Sequence, residues 1–142
     1  MMQVFISLLV LMFCFPAQAA ETITIENAYA LQTAAAQKNG AVFMTISNTG
    51  ENDDQITAAS SDIAERVELH THLMDDGIMM MRKVDFYDLP AKDNAVLQPM
   101  GHHIMLMNLK TQLRAGDVFP LTLSFANRAD ITVNVTVKSP GE

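Results

Sequence analysis

Cysteine is almost missing from this 142-residue chain: the only one, Cys14, lies within the N-terminal run MMQVFISLLVLMFCFPAQAA. That run holds about fifteen apolar residues and ends in Pro16 and Ala17-Gln18-Ala19, with small residues where a signal peptidase reads them. It is short for a bilayer span and polar sequence follows at once. It therefore reads as a secretory signal, residues 1–19, cleaved to leave residues 20–142 with no stable membrane insertion. Leu11-Met12-Phe13 are not the small residues a lipoprotein cleavage site needs before its cysteine, so lipidation at Cys14 is not expected. Without the leader no thiol remains. That excludes a cysteine nucleophile and a blue-copper redox site, which needs a thiolate ligand.

Basic side chains are also scarce, 9 Lys and Arg against 16 Asp and Glu, for a formal charge of −7. No basic patch is available for nucleic acid or an anionic membrane. The acidic residues are dispersed, with Asp53-Asp54 and Asp75-Asp76 as the doublets, and read as a solvated surface. Repeats, low-complexity tracts and Pro/Gly/Ser-rich linkers are missing too, so residues 20–142 are expected to form one monomeric domain with a single core. There is no G-x-S-x-G elbow and no zinc-hydrolase motif, and the chain is not read as an enzyme.

What the chain does have is many short β-branched or alternating runs bounded by turn residues. Strands are expected at Ile23–Ala28, Ala41–Asn48, Gln55–Ala59, Arg66–Met74, Ile78–Val84, Ala95–Gln98, His102–Leu109, Leu121–Phe125 and Ile131–Val137. Asn48-Thr49-Gly50, Asp76-Gly77, Pro99-Met100-Gly101, Ala115-Gly116-Asp117 and Asn127–Asp130 punctuate them. The alanine-rich Leu31–Lys38 fits a helical turn or a loop. An all-β Greek-key sandwich is the economical architecture for such a pattern.

It also has a cluster of soft donors. The four histidines form two pairs, His70/His72 and His102/His103. Outside the leader, every methionine except Met44 falls between Met74 and Met107, the window that holds the histidines. Imidazole and thioether without thiolate suit Cu(I), whereas zinc sites take Cys, His and carboxylate. A methionine stripe alone is packing by default. The histidines change that balance, because a buried unpaired imidazole is costly.

Strand alternation sorts the donors. Asp76-Gly77 is a favoured two-residue hairpin turn, which pairs Asp75 with Ile78, Met74 with Met79, Leu73 with Met80 and His72 with Met81. In that register Val67, Leu69, Leu73, Ile78, Met80 and Val84 form a core face, while His70, His72, Met74, Met79 and Met81 share an outward face. In the third strand Ile104 and Leu106 take the core side along with His102, leaving His103, Met105 and Met107 on the other. If that strand meets the hairpin, two imidazoles and two thioethers converge.

The spacing of these residues is itself informative. His70, ten residues, Met81, twenty-one residues, His103, one residue and Met105 resembles the signature of the periplasmic copper chaperones called PCuAC. Val67-Glu68-Leu69-His70, Asp76-Gly77-Ile78-Met79 with Met81-Arg82, and His103-Ile104-Met105-Leu106-Met107 fit as well. The likeness runs from Ile25-Glu26-Asn27-Ala28 to Ile131–Val137. It implies a cupredoxin-like β-sandwich that binds one Cu(I) through His70, Met81, His103 and Met105; strand alternation, not the signature, adds His72, Met79 and Met107 as accessory candidates. It implies a periplasmic protein that passes copper to the copper site of cytochrome c oxidase or to an assembly factor. Extracytoplasmic copper buffering or resistance, which would use the same ligands, is the alternative. His72 stands where members often carry Met, so a third imidazole could compete for copper or draw the site toward Cu(II). The sequence closes on Pro140-Gly141-Glu142 without the His/Met-rich tail some members use for a second copper, and one site is expected.

Overall fold

The computed structural model describes residues 22–142; the leader and Cys14 lie outside the described residues. Ten strands and no helix are found among them: β1 (Ile23–Leu31), β2 (Asn39–Asn48), β3 (Asp54–Ser60), β4 (Ala64–Asp75), β5 (Ile78–Lys83), β6 (Tyr87–Leu89), β7 (Asp93–Leu97), β8 (His103–Leu109), β9 (Val118–Phe125) and β10 (Ile131–Lys138). Every strand expected from alternation is present, with its ends displaced by a few residues. β6 was not expected. Of the stretch Leu31–Lys38, Leu31 ends β1 and the rest connects it to β2 as a loop, with a turn closed by the Gln37 N–H on the Ala34 carbonyl at 3.0 Å.

One hydrogen-bonded path runs β5-β4-β8-β2-β1-β10-β9-β3-β6, and β7 branches from β2. All strand pairings are antiparallel except that of β1 with β10. The path folds into a sandwich, because alternate residues of both halves feed one core. Val42, Ile46, Ile104 and Leu106 from β2 and β8 meet Ile56, Leu89, Leu121, Leu123 and Val135 from β3, β6, β9 and β10, all fully buried. Each such aliphatic side chain contributes about 1.5–3 kcal/mol through removal from water.

Two irregularities place the functional end. β2 forks: Asn39–Val42 pair with β8, whereas Met44–Asn48 pair with β7, so the division falls at Phe43. The turn that joins β7 to β8 crosses this fork. Its Gln98 N–H bonds the His102 carbonyl at 2.9 Å and its Gly101 N–H bonds the Gln98 carbonyl at 3.0 Å. Met100 takes φ 68 there, a left-handed conformation that is unusual for a side chain of its size.

The β4–β5 hairpin has the register that Asp76-Gly77 dictates, with Asp75, Met74, Leu73 and His72 opposite Ile78, Met79, Met80 and Met81. Its expected core face is only half a core face. Leu69 is buried, and Val67 and Val84 pack on the core. Leu73, Ile78 and Met80 are exposed (41%, 65% and 49%). The reason is length: β8 pairs with β4 no further than His70, so the hairpin beyond Thr71 projects past the layer beneath it. Alternation says which way a side chain points, not whether anything covers it.

Candidate metal centre

The ladder between β4 and β8 sets His70 directly opposite His103. On the same face, two residues along in each direction, lie His72 on β4 and Met105 on β8, while β5 adds Met81 opposite His72. The His70 and His103 ring centroids are 5.8 Å apart, and those of His72 and His103 are 5.1 Å apart. The sheet thus brings together three imidazoles and flanks them with thioethers.

Each imidazole is oriented through one nitrogen. His103 Nδ1 lies 3.1 Å from the Gly101 carbonyl oxygen, an acceptor only, so Nδ1 carries the proton and Nε2 the lone pair. His70 is the mirror case. Its Nε2 lies 2.9 Å from Glu68 Oε2 and donates to it, and its Nδ1 is buried with no partner. A buried nitrogen lone pair without a hydrogen bond is rare and costly, and a carboxylate on the far nitrogen is how metal-binding histidines are commonly held. His72 Nδ1 makes a longer contact, 3.4 Å, with the same Gly101 oxygen.

Electrostatics keep the His103 ring uncharged. Burial pushes the His103 pKa below the ordinary histidine value, and the neighbouring histidines push the same way, while the Gly101 hydrogen bond opposes them. The ring is neutral at pH 7. The His70 hydrogen bond, against opposition from burial, holds the Glu68 carboxyl below the usual range, with Lys83 and Arg66 assisting. Those cations stand 3.9 and 3.7 Å from Glu68 Oε1.

Burial divides the donors in a way alternation does not foresee. An outward-facing site was expected, but His70 and His103 are buried (9% and 3% exposed). The thioethers are the accessible part: Met81 is 48% exposed, and Met105 is half-buried. Met81, His103 and Met105 share the wall of a cavity of about 310 Å³ with Phe43, Gly40 and Thr33. Phe43, buried yet outside the main core, lies beside His103 on the neighbouring strand, 6.5 Å between ring centroids, and packs on Tyr29 at 5.3 Å.

The accessory donors fare differently. Met79 is on the hairpin face with Met81 and, like it, stands in solvent. Met107 is removed from the group: strand rise puts it about 13 Å along β8 from His103, and its sulfur lies 3.3 Å from the Arg66 guanidinium. His102 is exposed on the other side of its strand, with its ring 4.7 Å from that of Tyr87. Among the described residues no three His, Cys, Asp or Glu side chains are grouped closely enough to hold a metal by themselves.

Three contributors were not read from the sequence. Glu68 shares a face with His70 by simple alternation, and that signal was available. The Gly101 carbonyl and Tyr87 carried no signal, because each acts from a turn or from a three-residue strand.

The family model "Putative lipoprotein LpqE-like" matches residues 23–137. Uncharacterized protein RP573 of Rickettsia prowazekii (strain Madrid E) is 35% identical over 100 residues, 70% of this chain. The chain spans only 55% of that relative's length. Putative lipoprotein Lxx21020 of Leifsonia xyli subsp. xyli is 32% identical over 124 residues, 87% of this chain and 74% of that protein. Among solved structures, the copper-bound PCuAC domain from PmoF2 has a TM-score of 0.72 at 20% identity, covering 87% of this chain and 97% of that one. The solution structure of Cu(I)-DR1885 from Deinococcus radiodurans has a TM-score of 0.70 at 28% identity, covering 89% and 84%. The cupredoxin-like β-sandwich is thus the fold of this chain.

Proposed function

The chain belongs to the LpqE-like family and has the fold of the PCuAC domains, and from that premise we propose that it is a copper carrier exported from the cytoplasm. It binds one Cu(I) through His70, Met81, His103 and Met105 and passes it, in the periplasm, to the copper site of an oxidase or to its assembly factor. One observation carries this reading: the opposed pair His70 and His103, each with one nitrogen fixed by hydrogen bonding and the other bearing a free lone pair, beside exposed thioethers. Neutral imidazole and thioether favour Cu(I), and the arrangement calls for no catalytic group.

The uneven burial gives hand-over a direction. Met81 stands on a projecting strand in contact with solvent, whereas His103 sits at the bottom. An acceptor's donor group displaces the Met81 thioether first, while the histidines hold the ion until the second exchange. The backbone need not open, because the hairpin tip is already outside the core.

The test is anaerobic Cu(I) competition with a chromophoric chelator. His103→Ala and Met81→Ala are each expected to weaken binding about a hundredfold, about 2.7 kcal/mol; Met81→Ala leaves the melting temperature nearly unchanged, while His103→Ala, which truncates a buried ring, lowers it without unfolding the protein. X-ray absorption of the wild type should give two nitrogens and two sulfurs. Wild-type affinity in both variants would discard the site. Transfer to an apo-oxidase copper subunit separates delivery from buffering.

A further inference from the structure

Tyr87 reaches the proposed metal centre from the opposite layer. It lies on β6, which pairs with β3, and its side chain is buried. Its hydroxyl accepts the His70 N–H at 2.9 Å and lies 2.6 Å from the carbonyl oxygens of both His70 and His103. One phenolic proton serves two carbonyls, so the hydroxyl joins β4 and β8 at the rung that bears both buried imidazoles. Burial raises the Tyr87 pKa to about 12, against the two backbone hydrogen bonds, so the proton stays in place. The His102 ring packs on the phenol from the exposed side.

We infer that Tyr87 is a positioning residue for copper binding, fixing the separation of His70 and His103 through their backbones rather than touching the metal. The inference rests on the reading of this site as a Cu(I) site. Its physical basis is that the rung lies where β4 outruns β8, at the end of their pairing. The last rung of a ladder is the one most free to splay. A tyrosine hydroxyl on three backbone groups removes that freedom before copper arrives, as preorganised ligands require. Glu68 and Gly101 set the rotation of the rings; Tyr87 sets the distance between the strands that carry them.

The test compares Tyr87→Phe with Val135→Ala, a core truncation on β10, which pairs with β1 and β9. Both lower the melting temperature. Only Tyr87→Phe is expected to lower Cu(I) affinity, about tenfold, and to broaden the copper–nitrogen shell in X-ray absorption. Equal affinity in Tyr87→Phe and Val135→Ala overturns the inference. A wild type that fails to bind Cu(I) instead overturns the function on which it rests. Should Tyr87→Phe not fold, hydrogen exchange of the wild-type His70 amide, which donates to the Tyr87 hydroxyl, decides. It should be as slow without Cu(I) as with it, and fast exchange in the metal-free protein overturns the inference.

Discussion

Two buried polar groups in this molecule are treated in opposite ways. Asp54, with its side chain 1% exposed, accepts from the backbone N–H groups of Gln55 (2.8 Å) and Asn127 (3.0 Å) and pairs with Arg128 Nε at 2.7 Å. Arg128 is in turn held by Thr22. His70, at the other cluster, has one nitrogen on Glu68 and the other on nothing. The first is a closed account of hydrogen bonds that ties the 125–128 turn to β3. The second leaves a valence open inside the protein. A saturated buried group serves the fold; an unsaturated one, among neutral soft donors, is poised for something that arrives later.

The largest expected effect breaks the closed cluster. Asp54→Ala should cost about 3 kcal/mol, the low end for a severed buried pair because Arg128 keeps some solvent. Urea denaturation measures it, and the folded fraction should bind Cu(I) as the wild type does. Loss of copper binding without loss of stability would reverse the contrast between the clusters.

Glu68→Ala sharpens the other side. Removing the carboxylate that orients His70 is expected to lower Cu(I) affinity roughly tenfold, with a smaller fall in the urea midpoint than Asp54→Ala gives, since Glu68 is only partly buried. An unchanged affinity would mean that the His70 ring is held by packing alone.

The smallest effect is one of pH. In the metal-free protein the folded His103 pKa is depressed, so the unfolded chain takes up a proton first and stability begins to fall as pH drops below about 6.5. The folded Asp54 pKa is also depressed: burial works to raise it, but Arg128 and the two backbone donors prevail. Asp54 therefore contributes stability above its unfolded value of 3.8, and the contribution is lost as pH falls through the lower folded one. Melting temperature against pH should show two descents, and His103→Ala should remove only the first.

The sequence made much of this legible. The hairpin register follows from Asp76-Gly77, since a two-residue turn leaves one pairing that keeps Leu69 inward and His70 outward. The clustering of His and Met between Met74 and Met107 marks the candidate site without any strand being placed. What stayed hidden depends on where strands end. Leu73, Ile78 and Met80 obey the alternation of a core face, but β8 stops short of them. His70 and His103 obey the alternation of an outward face, but Phe43, Glu68 and the Gly101 turn close over them. β6 is too short to have a period, and so the phenol that reaches from it across the core could not be read.

The projecting β4–β5 hairpin divides the protein by durability. Its thioethers at Met74, Met79, Met80 and Met81 stand in solvent, where peroxide converts a methionine to its sulfoxide and a soft sulfur donor to a hard oxygen one. The histidines below are out of reach of that chemistry, and the core takes no support from the hairpin tip. Such a molecule ages from one end: oxidant would erase its taste for soft metals while leaving every strand in place, and a reductase that restored the sulfide would restore the carrier without refolding it.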